Sequence, residues 1–214
     1  MIEWSYGVTS CAQRLESLLP KTLTSLAKAG FNSPRLFIDG HYHHPSIGAY
    51  GNWLLAVWEL YIRQPRANMY AIFQDDLVMC RGVREYLERC KYPEKGYLNL
   101  FTFATNENIV HGKSEGWMLS DQLGKGALAL VFSHEAIVTL LKQSHLVNYP
   151  QLPKGHKNID SAVKHALVSQ AKWQEFIHNP SLVQHTGTEG TLGNPRHPKA
   201  WTFPGEDFDA RSLL

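Results

Sequence analysis

The chain has 214 residues, of which 43% are hydrophobic and 19% are charged, and its formal net charge is +2. A chain of this length can bury a sizeable core, and this composition excludes a disordered protein and a coiled coil. The basic residues form no dense run, so the charge does not indicate a nucleic-acid partner. The eleven histidines are the one unusual count, and histidine serves both as a proton carrier and as a metal ligand.

Cysteine usage and the lack of apolar runs favour a single domain in a reducing compartment. Cys11, Cys80 and Cys90 include no C-x-x-C pair, so neither a disulfide framework nor a structural zinc site is indicated. The N-terminus lacks the pattern of a signal peptide, and no apolar run approaches the roughly 20 residues that span a bilayer. We therefore expect a cytoplasmic protein with one domain over residues 1–214, in which 190–214 form a loop-rich tail.

Strand-like and helical patterns alternate through the first half of the chain. Pro20 interrupts one helical pattern, so we expect that helix to kink or to begin there, and Gly30 stands where a helix C-cap belongs. The predicted elements are a strand over 6–10, a helix over 15–26, a strand over 36–38, a polar loop over 41–51, a helix from 53 that stops before Pro65, and a strand over 70–73.

The same alternation continues through the second half. The predicted elements are a helix over 83–90, strands over 97–102 and 128–132, a helix capped by Ser133, a helix that Asp160 opens and that runs through 167, and a strand over 181–184. Strand–helix alternation of this kind predicts the α/β class, as a three-layer α/β/α sandwich with a mostly parallel sheet.

Polar side chains follow several of the predicted strands. Thr9 and Ser10 end the first strand, Asp39 follows the second, and Gln74-Asp75-Asp76 follow the third. In sheets of this class, ligands bind beyond the carboxyl ends of the strands. We therefore expect these residues to be neighbours in space.

Asp75 and Asp76 are the sharpest chemical feature of the sequence. Adjacent acids at the end of a buried strand repel each other and lose hydration, so they are costly without a cation. Mg²⁺ and Mn²⁺ need one or two carboxylates and can take their other ligands from a diphosphate and from water. The alternative interpretation is two solvated acids in a turn before a helix.

His185 and Asp160 are two further candidates. His185 ends a predicted strand and enters a loop rich in glycine and threonine, where it could bind a metal or a phosphate; the alternative is a hydrogen-bonded surface histidine. Asp160 lies in the first turn of a helix. A carboxylate there could act as a general base on a substrate hydroxyl, or it could simply cap the helix.

Other motifs do not indicate a site. The histidines within 41–44 are too close together and lack an acidic partner, so a polar loop is the better interpretation. Gly124-Lys125-Gly126 lacks the frame of a phosphate-binding loop, and the sequence contains neither a nucleophile elbow nor a dinucleotide fingerprint. Trp117 could stack on a sugar or belong to the core.

The order of these segments is similar to that of the GT-A glycosyltransferases, over about residues 5–193. The matching segments are the strand with Val8-Thr9-Ser10 followed by Arg14, the run from Leu36 to Gly40, Gly51-Asn52-Trp53 before a helix, Gln74-Asp75-Asp76, and the late segment that ends its strand in His185. In that family the acidic triplet is the Asp-x-Asp-type motif, which holds a divalent metal on the donor diphosphate. Gln74 departs from the pattern, because it replaces the first acid.

The resemblance implies a role for each candidate residue. Asp76 and His185 would hold Mg²⁺ or Mn²⁺, and Asp160 would take the proton of an acceptor hydroxyl that attacks the opposite face of the sugar carbon, which gives inversion. A nucleotide-sugar donor with uridine diphosphate as its carrier would contact the remaining candidates, which are Thr9, Ser10, Arg14, Asp39, Asn52, Gln74 and Asp75.

Two other classes stay open. A nucleotidyltransferase that makes nucleotide sugars shares the sheet and the metal-bound acids, but it normally carries a glycine-rich loop after the first strand, and residues 9–13 contain no glycine. A non-catalytic carbohydrate-binding module of the same fold is kept open by Gln74. The acceptor is equally open: a glycan, a protein, a lipid and a modified nucleic-acid base all fit.

Overall fold

The computed structural model describes residues 2–40, 45–144, 146, 158–186 and 198–214. The predicted loop over 41–44 and the first part of the predicted tail, 190–197, lie outside these residues. The strands are β1 (Trp4–Cys11), β2 (Arg35–Asp39), β3 (Met69–Gln74), β4 (Leu77–Met79), β5 (Gly96–Asn99), β6 (Gly116–Leu119), β7 (Ala129–Ser133), β8 (Gln174–Asn179) and β9 (Val183–His185).

Helices follow most of the strands. They are α1 (Leu19–Lys28), α2 (Gly48–Arg63), α3 (Val83–Arg89), α4 (Ala104–Val110), α5 (His134–Leu141) and α6 (Ile159–Val163), which continues as a π-helical stretch over Lys164–Gln170. Short 3₁₀ helices cover Ala12–Arg14 and Ala210–Leu213. None of the helices in the described part of the chain is long and apolar enough to cross a membrane.

Among the described residues, seven strands form one mixed sheet in the order β2-β1-β3-β7-β5-β8-β6. β1 pairs in parallel with both β2 and β3, and β5 pairs in parallel with β8, whereas β7 and β6 run antiparallel to their neighbours. Five of these seven strands point in the same direction, and only β7 and β6 are reversed. The predicted mostly parallel sheet is therefore confirmed. A separate two-stranded ribbon joins β4 to β9.

Two apolar cores lie on opposite faces of this sheet. Alternate residues of β3 divide between them, with Phe73 in one core and Ile72 in the other, as the two-residue period of a strand requires. Helices α1 and α3 cover the first core, and α2, α5 and α6 cover the second. This arrangement is the three-layer α/β/α sandwich that the sequence predicts.

Several boundaries differ from the predicted ones. Helix α2 begins at Gly48, inside the predicted loop, because the Asp39 carboxylate accepts hydrogen bonds from the backbone N–H groups of Ile47 (2.8 Å) and Gly48 (3.1 Å). Helix α1 begins at Leu19, so Pro20 lies in its first turn and the helix starts there and is not kinked by the proline. The sequence did not predict β4, β6, β8 or α4.

Candidate functional site

The carboxyl ends of β1, β2 and β3 meet at one edge of the sheet, as predicted. Thr9 lies opposite Gln74 in the parallel register, and Cys11 lies opposite Asp39. Thr22 of α1 fixes the turn after β3, because its hydroxyl donates to the backbone oxygen of Asp75 at 2.7 Å. These strand ends form one wall of a cavity.

Arg14 pairs with both acids of the turn. Its Nη1 lies 2.6 Å from Asp75 Oδ1 and 3.2 Å from Asp76 Oδ2, and the Ser10 hydroxyl donates to Asp75 Oδ2 at 2.5 Å. Asp75 and Asp76 are 3% and 2% exposed, so they are not solvated acids in a surface turn. Two ionised carboxylates against one guanidinium leave a net negative charge in a buried site.

Burial and charge pairing have opposite effects on the pKa values of this cluster. It raises the pKa of Asp75, and the hydrogen bond from Ser10 and the charge of Arg14 offset only part of the rise. Burial lowers the pKa of Arg14, but the two carboxylates reverse that effect and the net shift is upward. The guanidinium therefore stays charged, and the site gains from a further cation or a proton.

The β4–β9 ribbon brings His185 beside Asp76. Leu77 pairs with His185 in the ribbon, and the backbone N–H of Thr186 donates to the backbone oxygen of Asp76 at 2.8 Å. The His185 side chain is 10% exposed and packs edge-on against Phe101, with ring centroids 5.1 Å apart. His185 is thus not a surface histidine.

Asp76 and His185 fit a divalent cation. Asp76 Oδ1 and His185 Nδ1 are 3.7 Å apart, and two ligands that each lie about 2.1 Å from one ion are separated by roughly 3–4 Å. No three described His, Cys, Asp or Glu residues are grouped to hold an ion. A cation held by Asp76 and His185 would take its other ligands from outside this pair, as Mg²⁺ does when it keeps several waters.

Asp160 faces the same cavity from the first turn of α6. Its Oδ2 accepts a hydrogen bond from the Gly126 N–H at 2.7 Å, whereas Asn158 caps the helix by accepting from the Ser161 N–H at 2.8 Å. The capping interpretation of Asp160 therefore gives way to a carboxylate held from outside its helix. Burial raises its pKa, against the opposing effect of the Gly126 hydrogen bond.

Asp39 and Asn52 were both predicted to contact the nucleotide-sugar donor. Both line the cavity, but their side chains already make hydrogen bonds that stabilise the fold. Asp39 holds the start of α2. The buried Asn52 amide donates to the backbone oxygens of Ser10 (3.1 Å) and Phe37 (2.8 Å), so it joins the ends of β1 and β2.

Thr9 and Gln74 lie at the next two strand ends, with side chains that are also engaged. The Thr9 hydroxyl donates to the backbone oxygen of Phe73 at 3.3 Å. The Gln74 amide donates to the backbone oxygen of Ala127 at 2.9 Å, a bond that an acid at this position would not make.

One cavity of about 970 Å³ contains every predicted site residue. Its wall also includes Gln13, Tyr50, Phe103 and Gly126, which the sequence did not single out. For Gly126 the sequence carries a signal, since Gly124-Lys125-Gly126 is a glycine-rich run, although it lacks the frame of a phosphate-binding loop. Trp117 lies elsewhere, in β6, where it packs against Tyr86 and His178.

No family model and no curated protein matches this sequence. Among solved structures, the chain is similar to A197 from STIV, with a TM-score of 0.49 at 11% identity over 94% of this chain and 95% of that chain. It is also similar to a glycosyltransferase involved in the glycosylation of the major capsid of PBCV-1, with a TM-score of 0.48 at 7% identity over 86% of this chain and 94% of that chain. We infer the function from the residues of the cavity and not from these two likenesses.

Proposed function

We propose that this protein is a glycosyltransferase that moves a sugar from a nucleoside-diphosphate donor to an acceptor hydroxyl, with Mg²⁺ or Mn²⁺ as cofactor. The observation that carries the proposal is the convergence of Asp76, His185 and Asp160 on one cavity. A volume of about 970 Å³ lies at the upper end of the range for small-molecule sites, roughly 300–1,000 Å³. A cavity of this volume has room for a nucleotide sugar.

The donor half of the cavity is built from the ends of β1, β2 and β3. Asp76 and His185 would hold the metal ion, which when bound supplies positive charge against the diphosphate leaving group. Arg14 keeps both acids of the turn in place. The Thr9 and Ser10 hydroxyls donate their protons within the protein, so they can accept hydrogen bonds from a nucleoside, for which we propose uridine.

Asp160 is the proposed base. As the acceptor oxygen bonds to the sugar carbon and the bond from that carbon to the diphosphate oxygen breaks, the hydroxyl proton passes to the Asp160 carboxylate. A carboxylate with a raised pKa is a stronger base than a solvated one, and burial supplies that rise. Attack from the side opposite the leaving group inverts the sugar carbon.

Thermal unfolding with added nucleotides tests the donor site, since a ligand that binds only the native state raises the melting temperature. We expect uridine diphosphate with Mn²⁺ to raise it, chelator to remove the shift, and Asp76→Asn to weaken it. Other nucleoside diphosphates serve as comparison. The absence of a shift with every nucleoside diphosphate in the presence of metal would contradict the proposal.

Asp160→Asn tests the base. The variant keeps the shape of the side chain but removes the proton acceptor, so turnover of the nucleotide sugar should fall at least a hundredfold, within the range of about 10²–10⁴ for acid–base groups. The nucleotide-dependent thermal shift should survive. Asp207→Asn, which changes an exposed acid in the C-terminal segment, is the matched control and should keep full turnover; equal turnover in both variants would sink the assignment.

A further inference from the structure

The Asp160 carboxylate is oriented by a backbone segment that two amide side chains hold in place. The segment runs through Lys125, Gly126 and Ala127 and lies between the sheet and α6. In a trans peptide the C=O and the N–H of one unit point in opposite directions. The unit between Lys125 and Gly126 uses both ends: its oxygen accepts from the Asn99 amide at 2.9 Å, and its N–H donates to Asp160 at 2.7 Å.

Asn99 is itself fixed from three sides. Its Oδ1 accepts from the Phe101 N–H at 3.1 Å, and its amide nitrogen donates both to the Lys125 oxygen and to Glu175 Oε1, the latter at 3.1 Å. Both N–H groups of the amide are therefore used, and the bond accepted by Oδ1 fixes which way the amide points. Glu175 is 1% exposed and its other oxygen accepts from Ser120 at 2.7 Å, so the anchor of Asn99 is buried and rigid.

Gln74 holds the other end of the segment. Its amide donates to the Ala127 oxygen at 2.9 Å, and its backbone N–H donates to the Leu128 oxygen at 2.9 Å. A glutamate in this position, as in the acidic triplet of the resembling family, would place an acceptor against the Ala127 carbonyl. The amide at residue 74 is thus matched to a carbonyl, and the two acids of the turn begin one residue later.

We propose that Asn99 and Gln74 are positioning residues for Asp160, acting through the backbone of Lys125–Ala127. The proposal rests on the function proposed above, because it assigns Asn99 and Gln74 to the orientation of the base. Neither residue touches the acceptor in this role. Asn99 ends β5, an interior strand of the sheet, so its effect on the reaction runs through the pinned peptide.

The test uses the backbone amide of Gly126 as a reporter in the full-length protein. A hydrogen bond to a charged acceptor is shorter and stronger than one to a neutral group, so Asp160→Asn should move the Gly126 amide proton upfield in an assigned ¹H–¹⁵N spectrum. Asn99→Leu and Gln74→Met should move the same proton upfield and speed its hydrogen exchange. Ser5→Ala removes a buried hydrogen bond to the Leu60 oxygen far from the cavity and should leave it unchanged.

Kinetics separate positioning from a purely structural role. Both variants should lose kcat by about tenfold or more, since a displacement of about 1 Å can cost a hundredfold, while the dissociation constant of uridine diphosphate in Asn99→Leu stays at the wild-type value. Methionine is nearly isosteric with glutamine. If Asn99→Leu does not fold, the Gly126 proton shift and the kcat of Gln74→Met therefore provide the test. An unmoved Gly126 proton in the folded variants, or a moved proton with unchanged kcat, would overturn the proposal.

The spectrum also distinguishes this proposal from the function on which it rests. If wild-type protein shows no turnover of any nucleotide sugar, the proposed function fails. The response of the Gly126 amide to Asn99→Leu then still reports whether the segment is pinned as described.

Discussion

At the scale of single residues, the buried cluster of one guanidinium and two carboxylates, Arg14 with Asp75 and Asp76, constrains this site most. Arg14 is buried with Asp75 and Asp76 at hydrogen-bonding distance. Such a cluster is weakly stabilising as a whole, but the loss of one member leaves uncompensated charge in a poorly solvated place. Arg14 is therefore required for the fold of the site even where it makes no direct contact with a donor.

Arg14→Met should destabilise the protein by about 3–5 kcal/mol, the usual cost of removing one partner of a buried pair. The matched control is Arg35→Met, because the Arg35–Glu59 pair at 3.2 Å has side chains that are 42% and 31% exposed and should cost about 1 kcal/mol or less. Urea unfolding at neutral pH measures both. If both variants lose the same free energy of unfolding, burial of the Arg14 cluster does not contribute to stability.

His178 makes stability depend on pH. It is fully buried, its Nδ1 donates to the Pro180 oxygen, and its Nε2 accepts from the Tyr86 hydroxyl, both at 2.7 Å. A carbonyl accepts only, so the proton must lie on Nδ1. Both ring nitrogens are thus bonded within the protein, and burial lowers the pKa of His178 to about 4.

The sign of the pH effect follows from that lowered pKa. Between pH 6.5 and about 4 the unfolded chain binds a proton at His178 that the native chain does not, so stability falls as pH falls, by up to about 3 kcal/mol. His178→Gln should flatten this part of the curve relative to wild type, whereas His111→Gln, at an exposed position, should not. Parallel wild-type and His178→Gln curves would contradict the prediction.

At the scale of elements, the turn before β7 combines a special backbone conformation with close packing. Gly126 has φ +80°, and a Cβ there would lie 2.6 Å from Phe101 Cδ1. Gly112 has φ +69° with nothing within 4 Å of the corresponding position. The two glycines thus share a left-handed backbone and differ in the space around it.

Gly126→Ala should therefore cost more than Gly112→Ala. The left-handed conformation alone costs about 1–2 kcal/mol, and overpacking against Phe101 adds about 1–3 kcal/mol. Gly126→Ala should also lower turnover, because the displaced segment carries the N–H that binds Asp160, while Gly112→Ala keeps it. Chemical denaturation together with a kcat measurement checks both, and equal stability losses would exclude the clash with Phe101.

The elements that the sequence does not predict are those whose polar side chains are paired with residues far away in the sequence. β8 reads Gln-Glu-Phe-Ile-His-Asn, and its Glu175 and His178 look like surface residues until Ser120, Asn99 and Tyr86 satisfy them. The early start of α2 has the same origin, since its capping carboxylate, Asp39, comes from the preceding strand. Apolar strands such as β3 carry their own signal and were predicted.

The residues of the site were predictable to a similar degree. Asp76, His185 and Asp160 stand at element ends, where topology alone brings them together, and the structure places all three at one cavity. Asn99 binds a backbone oxygen, and a bond of that kind leaves no pattern in the sequence. Gly126 stands in a glycine-rich run, but the sequence does not show that its N–H binds Asp160.

At the scale of the whole molecule, two cores share one sheet. Leu26 belongs to the core under α1 and Leu140 to the core under α5, and both are fully buried. Because β3 and β7 contribute alternate residues to each core, loss of either core should disturb the same sheet. We therefore propose that the chain unfolds as one domain.

Leu26→Ala and Leu140→Ala should each destabilise the protein by about 2–5 kcal/mol and shift one common transition, seen alike by circular dichroism and by tryptophan fluorescence. Leu55→Ala, at a side chain that is 49% exposed, is the control and should change stability by less than about 0.5 kcal/mol. A variant that moves only one of two separate transitions would contradict the single-domain proposal.

If the chain has the proposed activity, the β4–β9 ribbon completes the site with a segment that comes late in the sequence. The acids of the turn follow β3, whereas His185 arrives from a segment synthesised long afterwards and is placed by backbone pairing opposite Leu77. A chain that has formed only β1–β3 would hold Arg14 with its two acids but would lack the histidine. Turnover would then appear only once the last ribbon strand has docked, so the reaction itself would report the completion of folding.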